Sequence, residues 1–198
     1  MSLVPTTKLE AINELLEAIG ESPVNSATNT GLVEADLASS RIDKISRQVQ
    51  KRGWHWNTLK DYVLEPDISN NIQLPASTVE VDTVGSSAHK DYVQRGTRLY
   101  DRDNNTFTIT DPVVVDITLL LDFDDLPENA RDYIVMRAAR KFQERLFGST
   151  ELSNFDKEDE QRSWFDLLDA EADAADYNML RDNLTILRII NRKHFNKD

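Results

Sequence analysis

Acidic side chains cluster in the segment "DFDDLPE", which contains Asp122, Asp124, Asp125 and Glu128. Paired carboxylates are the catalytic groups of most glycoside hydrolases, where one donates a proton and the other attacks or activates water. Such a pair needs a cleft that fixes its separation and raises one pKa. Because the chain has 35 acidic residues, clusters also arise by chance. We favour a solvated turn that caps a following helix, and we predict no catalytic residue.

A serine, a histidine and an aspartate lie together in "GSSAHKD", from Gly85 to Asp91. A nucleophilic triad needs a base that a third group orients in space, and such groups are rarely neighbours in sequence. The segment also lacks the G-x-S-x-G pattern. The three histidines have no regular spacing, and there is no cysteine. The sequence therefore predicts a flexible loop here, no enzyme activity, no metal site and no cofactor.

Two tryptophans follow a basic segment at "RGWHWN", Arg52–Asn57. Positive charge beside aromatic rings is typical of surfaces that stack nucleic-acid bases. The alternative is structural, because a glycine often ends a helix and the next residues alternate as in a strand. In that interpretation Trp54 and Trp56 form a plug that joins a β-rich unit to a helical layer. We favour it, and the predicted structural hinge is Gly53, Trp54 and Trp56.

Hydrophobic spacing predicts the elements that position these residues. Apolar residues recur at steps of three and four in two segments that end near Gly20 and Gly53, and again in two segments after Pro127. Between them, stretches such as "TVEVDTV" and "VVVDITLLLDF" alternate as strands do. Four amphipathic helices need one another to bury their apolar faces. We predict an α+β fold: a four-helix bundle of two helical hairpins, an inserted antiparallel β-rich unit and an extended C-terminal tail.

The predicted domains follow from this order of elements. The helical bundle is discontinuous and comprises residues 1–53 and 124–180, the inserted β-rich domain is 54–123, and the C-terminal tail is 181–198. A chain of 198 residues is long enough to bury a core without disulfides. Its net charge of −12 opposes attraction to DNA or to an anionic membrane. The sequence shows neither a signal peptide nor a long apolar run, which predicts a soluble protein.

Charge is distributed unevenly along the predicted helices. The third helix carries a positive net charge, the fourth a strongly negative one, and the tail a positive one again. Opposite charges on neighbouring elements suit side-by-side contacts, either within a chain or between copies. Ordinary solvated helix faces would give the same pattern. Charge alone therefore leaves both interpretations open.

Four segments, taken together, resemble the tail tubular protein A family of short-tailed bacteriophages. They are "KISRQVQKRGWHWN", "VQRGTRLYDR", "FDDLPENARDYIVMRAARKFQERLFGS" and "DYNML". They occur in the order and approximate spacing of that family. The resemblance runs from the first helix to about Leu180.

The resemblance implies a structural virion protein. In this family a homododecamer, a ring of twelve copies, is the head-to-tail adaptor between the portal protein and the tail nozzle protein. Double-stranded DNA passes through its channel during packaging and ejection. Helical hairpins build the ring body, and the inserted β unit meets neighbours and the nozzle. The chain would then act in the virion tail after assembly in the host cytoplasm, without contact with a membrane, and a portal would template the ring from monomers.

A ring requires one face of each copy to match a different face of the next. The opposite charges of the third and fourth helices predict such a match. The subunit-contact candidates are Arg137, Arg140 and Arg145 on the third helix and Glu158, Asp159 and Asp166 on the fourth. The portal-contact candidates, in the basic tail, are Arg188, Arg192, Lys193 and Phe195. An acidic chain also suits a conduit, because it denies DNA the contacts that release counterions.

Two other function classes stay open. A tail-associated carbohydrate hydrolase would need two carboxylates that converge in a concave site, and the sequence shows only an acidic turn. A DNA-binding regulator would need a basic surface, which the net charge opposes. We therefore predict the adaptor, with the hydrolase as the alternative and the regulator in third place.

Overall fold

The computed structural model describes residues 4–28, 31–147 and 152–174. Over these residues the fold is mixed α+β, with four helices and antiparallel sheets, which confirms the predicted class. The helices are α1 (Lys8–Glu17), α2 (Val33–Gln50), α3 (Glu128–Phe147) and α4 (Leu152–Ala174). The strands are β1 (Thr58–Leu64), β2 (Thr78–Thr83), β3 (Tyr92–Arg95), β4 (Arg98–Asp101) and β5 (Val113–Leu119). The domain boundaries stay a prediction, and the predicted tail, 181–198, lies outside the described residues.

Helix α1 begins with a capping box. The Thr7 hydroxyl accepts a hydrogen bond from the Glu10 N–H at 3.3 Å, and the Glu10 carboxylate accepts one from the Thr7 N–H at 2.8 Å. The two bonds satisfy backbone donors that the start of a helix leaves open. The hydrogen bonds that the N–H and the hydroxyl of Thr7 donate to the Glu10 carboxylate lower the pKa of Glu10. The buried side chains of Ile12, Leu15 and Leu16 then place α1 against the other helices.

All four described helices contribute to one hydrophobic cluster, the helical core. Its buried members include Leu16 of α1, Ile42 of α2, Ile134 of α3 and Leu167 of α4. These positions follow the three- and four-residue spacing that predicted the helices. None of the described helices is both long and apolar enough to span a bilayer.

Strand β5 is the centre of a three-stranded antiparallel sheet in the order β1–β5–β2. Its alternate residues Val113, Val115 and Ile117 are buried, as predicted, and together with Leu99 they belong to a second hydrophobic cluster, the sheet core. Strands β3 and β4 form a separate hairpin whose turn contains Gly96 at φ 63°. A positive φ is unstrained for glycine, so this residue permits the tight reversal.

A buried hydrogen-bond network, the junction, joins α2 to the segment around β5. The Gln50 amide donates to the Leu121 carbonyl at 2.9 Å and accepts from the Leu121 N–H at 2.7 Å. The Asn57 amide donates to the carbonyls of Gln50 and Leu119, both at 2.9 Å, and accepts from the Trp54 N–H at 2.8 Å. Both amide side chains are buried. Directional bonds therefore set how the helices meet the sheet.

Candidate subunit-contact surfaces

Helices α3 and α4 meet through an arginine–glutamate contact. Arg140 donates to the carboxylates of Glu160 and Glu144, each at 2.5 Å, and Arg137 Nη1 lies 3.6 Å from Glu160 Oε1. The side chains of Arg140 and Glu160 are only 15% and 13% exposed. Burial alone would lower the pKa of Arg140, but the hydrogen bonds and charges of Glu160 and Glu144 raise it overall. Arg140 therefore stays charged, and water screens the contact less than an exposed pair.

The subunit-contact candidates fall into two groups. Arg137 and Arg140 already interact with Glu160 of the same chain. The exposed candidates are Arg145, Glu158, Asp159 and Asp166. A contact of any of them with a second copy stays a prediction, and the exposed group is the one that a neighbour can reach without breaking the arginine–glutamate contact.

Arg145 lies in a small hollow of about 210 Å³ between α2 and α3. Arg41 and Lys44 of α2 also line this hollow, together with Leu37 and Phe142. Three positive charges are thus gathered around an apolar base. Such a surface suits an acidic face of another protein.

A larger concave surface, the basic cleft, lies between the C-terminal end of α2 and the facing parts of α3 and α4. Its volume is about 630 Å³, within the range of about 300–1,000 Å³ that is usual for binding clefts. Its charged lining residues are Lys51, Arg52, Arg137, Arg140, Lys157 and Glu160. Five positive charges less one negative charge leave +4 in a chain whose net charge is −12. The sequence predicts the basic end of α2 but not the cleft, because its walls come from distant segments.

Aromatic rings form the apolar part of the basic cleft. Trp164 and Tyr133 both line it, with ring centroids 4.8 Å apart. Trp54 packs edge-on against Trp164 at 5.7 Å. The Arg52 guanidinium lies 4.6 Å from the Trp164 ring centroid, within cation–π distance. The cleft therefore offers apolar surface surrounded by positive charge.

The hinge residues Gly53, Trp54 and Trp56 lie between α2 and β1. The prediction of a strand that begins at Trp54 is wrong, because residues 55–57 form a turn and β1 begins only at Thr58. The Asn57 N–H closes this turn by donating a hydrogen bond to the Trp54 carbonyl at 3.1 Å. The two rings are still stacked, 6.1 Å apart at 9°. Trp54 is buried in the helical core, and its indole N–H donates to an α2 carbonyl at 2.8 Å. This placement favours the plug over an exposed base-stacking platform.

The carboxylates of the acidic turn, residues 122–128, bind the N-terminal segment. Asp124 accepts a hydrogen bond from the Lys8 N–H at 2.8 Å. Glu128 accepts from the Thr6 N–H at 2.9 Å and from the Thr6 hydroxyl at 2.6 Å. These bonds favour a structural role at the start of α3 over catalysis. Among the described residues, no group of three or more His, Asp or Glu side chains could hold a metal ion.

Side chains of α1, α3 and α4 line an acidic hollow of about 300 Å³, which no sequence pattern indicates. Its charged lining residues are Glu14, Asp132, Asp159, Arg162 and Asp166. Burial, and then the charge of Asp132, raises the pKa of Glu14. Burial, and then the charges of Glu128 and Asp166, raises the pKa of Asp132. Asp132 therefore repels Glu14 and Asp166 here, whereas the carboxylates at the arginine–glutamate contact are paired.

The predicted portal-contact residues Arg188, Arg192, Lys193 and Phe195 lie outside the described residues.

Comparison with known proteins covers most of the chain. A family model described as Tail tubular protein matches residues 9–177. The Tail tubular protein A of Klebsiella phage KP34 is 32% identical over 155 residues, which are 78% of this chain and 81% of that relative. The charged surfaces described above therefore occur in a structural component of a bacteriophage tail. The chain belongs to the tail tubular protein family.

Proposed function

We propose that twelve copies of this chain form the head-to-tail adaptor ring of a short-tailed bacteriophage. The ring joins the portal protein to the tail nozzle protein and surrounds part of the DNA channel. The observation that carries the proposal is the family match over residues 9–177. In this proposal the chain binds no cofactor and catalyses no reaction.

The four helices act in the ring as a bundle of two hairpins, α1 with α2 and α3 with α4. Segments 1–53 and 124–180 form this bundle, and 54–123 is the inserted β-rich domain. The separate helical and sheet cores support this division. The junction keeps the two parts in a defined orientation, which a closed ring requires of every copy.

Neighbouring copies bind through surfaces of opposite charge. The hollow around Arg145, Arg41 and Lys44 supplies a positive face. Glu158, Asp159 and Asp166 supply exposed negative charge on α4. Unlike faces generate a head-to-tail contact, which closes into a ring if the rotation is right.

The negative net charge suits passage of double-stranded DNA through the channel. DNA binds where cations displace its counterions, and a chain at −12 offers few such places overall. The basic C-terminal tail, with Arg188, Arg192, Lys193 and Phe195, docks on the portal. Assembly takes place in the host cytoplasm, from monomers that the portal templates.

Electron microscopy of the purified full chain, alone and mixed with portal protein, tests the proposal. We expect twelvefold rings on the portal and none with Arg145→Glu, because that change reverses a charge at the positive face. Arg47→Glu, at an exposed arginine of α2 that lines neither the hollow nor the basic cleft, is the matched control and should still form rings. Deletion of residues 188–198 should reduce portal docking. Wild-type chain that never joins a portal would refute the adaptor function.

The hydrolase alternative has less support. Its predicted carboxylates, Asp124 and Glu128, hold the N-terminal segment. The acidic hollow is lined by Glu14 and Asp132 instead, and these side chains are only partly buried, so water reaches both carboxylates. Among the described residues, the DNA-binding alternative has the basic cleft and the hollow around Arg145 as concentrated positive surfaces, in a chain whose net charge is −12.

A further inference from the structure

A fully exposed isoleucine is held out by an ordered turn, here called the Ile68 turn (residues 65–71). Ile68 has the full exposure of an extended chain, 105%. The Asp67 carboxylate accepts hydrogen bonds from the Ser69 N–H at 2.8 Å and the Asn71 N–H at 3.0 Å. The Asn70 carbonyl accepts from the Ile109 N–H at 2.8 Å, which fixes the turn to the rest of the β-rich region. A side chain presented in this way loses little conformational entropy when a partner covers it.

The sequence around Ile68 is acidic, although Arg98 from β4 lies close enough to Asp67 to interact with its charge. The stretch 61–71 contains three acidic residues and no basic one: Asp61, Glu65 and Asp67. Hydrogen bonds from the backbone of Asn71 and Ser69 lower the pKa of Asp67, so its charge persists. Tyr62 is also 44% exposed, on β1 at the edge of the sheet.

The basic cleft has the complementary character. Lys51, Arg52 and Lys157 are exposed positive residues of its lining and stand outside the arginine–glutamate contact. The partly exposed Trp164 gives it an apolar surface, and the buried Tyr133 packs against that ring. The volume of about 630 Å³ can receive a large aliphatic side chain together with residues beside it.

We propose that the Ile68 turn of one copy binds in the basic cleft of the next copy. Ile68 packs on Trp164, while Glu65 and Asp67 lie near Lys51 and Arg52. This inference rests on the proposed ring, and it assigns a specific contact that joins the β-rich region of one copy to the helices of its neighbour.

A second copy fits the cleft better than DNA does. A duplex presents phosphates on its surface and keeps the faces of its bases stacked inside, so it has no large aliphatic group to cover Trp164. The Ile68 turn of the same chain does not fill the cleft, because its own Ile68 is fully exposed. The turn and the cleft are different surfaces, so the contact is heterologous, the kind that a ring requires.

Cross-linking between single-cysteine copies tests the contact, because the chain has no cysteine of its own. Copies with Ser69→Cys are mixed with size-tagged copies carrying Gln161→Cys, a residue that lines the cleft, and assembled on portal protein. We expect a disulfide between the two forms under mild oxidation. Asp169→Cys is the matched control, since it is exposed on α4 outside the cleft lining, and it should not cross-link.

The outcomes separate this inference from the ring itself. Rings that form without the Ser69–Gln161 cross-link, or with equal cross-linking at position 169, would overturn the contact and leave the adaptor function intact. Absence of any ring with wild-type chain would refute the adaptor function. Binding of a short DNA duplex to the chain, lost with Arg52→Glu, would assign the cleft to nucleic acid and also overturn the contact.

A substitution gives an independent measurement. Ile68→Ser removes the apolar group and should raise the concentration needed for half-maximal ring formation about tenfold. Val33→Ser is the control, because Val33 is a β-branched residue that is 67% exposed on α2. Both variants should keep the wild-type Tm within about 2 °C, since exposed side chains contribute little to folding. Equal assembly by the Ile68→Ser variant and wild type would contradict the proposal.

Discussion

The junction and the arginine–glutamate contact both place polar groups inside the molecule, but in different ways. The junction uses the neutral amides of Gln50 and Asn57, bonded to backbone groups. The arginine–glutamate contact uses charges on side chains that keep some exposure to water. Backbone partners cannot move away, whereas charged side chains can exchange partners or water. The helix–sheet geometry is therefore fixed more firmly than the approach of α3 to α4.

Gln50→Leu should give the largest loss of stability. The change leaves the N–H and carbonyl of Leu121 buried without their present partners, and each such group costs about 1–3 kcal/mol. We expect the free energy of unfolding to fall by about 3 kcal/mol in urea denaturation. Gln161→Leu, at an exposed glutamine of α4, is the control and should change it by less than about 0.5 kcal/mol. Equal losses from the two changes would show that the hydrogen bonds of Gln50 at the junction contribute no special stability.

Glu160→Gln should have a smaller effect, about 1.5 kcal/mol. The variant keeps the shape of the side chain but removes the negative charge that faces Arg137 and Arg140. The loss is moderate because some water reaches the contact and Glu144 still pairs with Arg140. Glu158→Gln is the matched control, because Glu158 is exposed and lies two residues before Glu160 on α4. The comparison predicts that 1 M NaCl reduces the effect of Glu160→Gln but not that of Gln50→Leu.

The sequence predicts much of the fold but not these two contacts. The spacing of Ile12, Ile42 and Ile134 indicates buried helix faces, and the alternation in β5 indicates a half-buried strand, because burial repeats with the period of the element. Gln50 follows no such period, and its partner Leu121 lies 71 positions away. Charge indicated that α3 and α4 suit each other, yet it did not distinguish contact within a chain from contact between copies.

The candidate surfaces show the same limit. The basic end of α2 and the two tryptophans were visible in the sequence, whereas the cleft they form with Trp164 and Tyr133 depends on the tertiary fold. The exposure of Ile68 was equally hidden, because an isolated isoleucine in a turn has no sequence pattern. The strand predicted at Trp54 failed for a local reason: the Asn57 side chain closes a turn there through the Trp54 N–H.

Gly53→Ala tests the backbone at the junction and should cost about 1 kcal/mol. Gly53 has φ 70°, a conformation that costs an alanine about 1–2 kcal/mol. A Cβ would also lie 3.2 Å from Thr118 Oγ1, so β5 would have to shift slightly. Gly20→Ala is a useful control, since Gly20 has φ 81° but no atom within 4 Å of an added Cβ. Both substitutions carry the cost of a positive φ, so the extra loss of Tm at Gly53 relative to Gly20 measures the crowding around the added Cβ.

Asp132→Asn should have the smallest effect, and of opposite sign. The folded protein raises the pKa of Asp132 through burial and the charges of Glu128 and Asp166, so the ionised form is unfavourable there. The penalty is present above the raised pKa and disappears as pH falls below the ordinary value of 3.8. At pH 7 the variant should therefore gain about 0.5 kcal/mol, a modest figure because water screens these exposed groups.

The gain from Asp132→Asn should shrink as the pH falls from 7 to about 4. Urea denaturation of the variant and the wild type at each pH measures this change. Asp169→Asn controls for the general benefit of removing one negative charge from a chain at −12. Glu14→Gln should behave like Asp132→Asn, because burial and then Asp132 raise the pKa of Glu14. Combining the two changes should give less than the sum of their gains, since each removes the charge that the other feels. Strict additivity would mean that the carboxylates of Glu14 and Asp132 do not interact. In that case α1 and α3 would meet without the repulsion that distinguishes the acidic hollow from the arginine–glutamate contact.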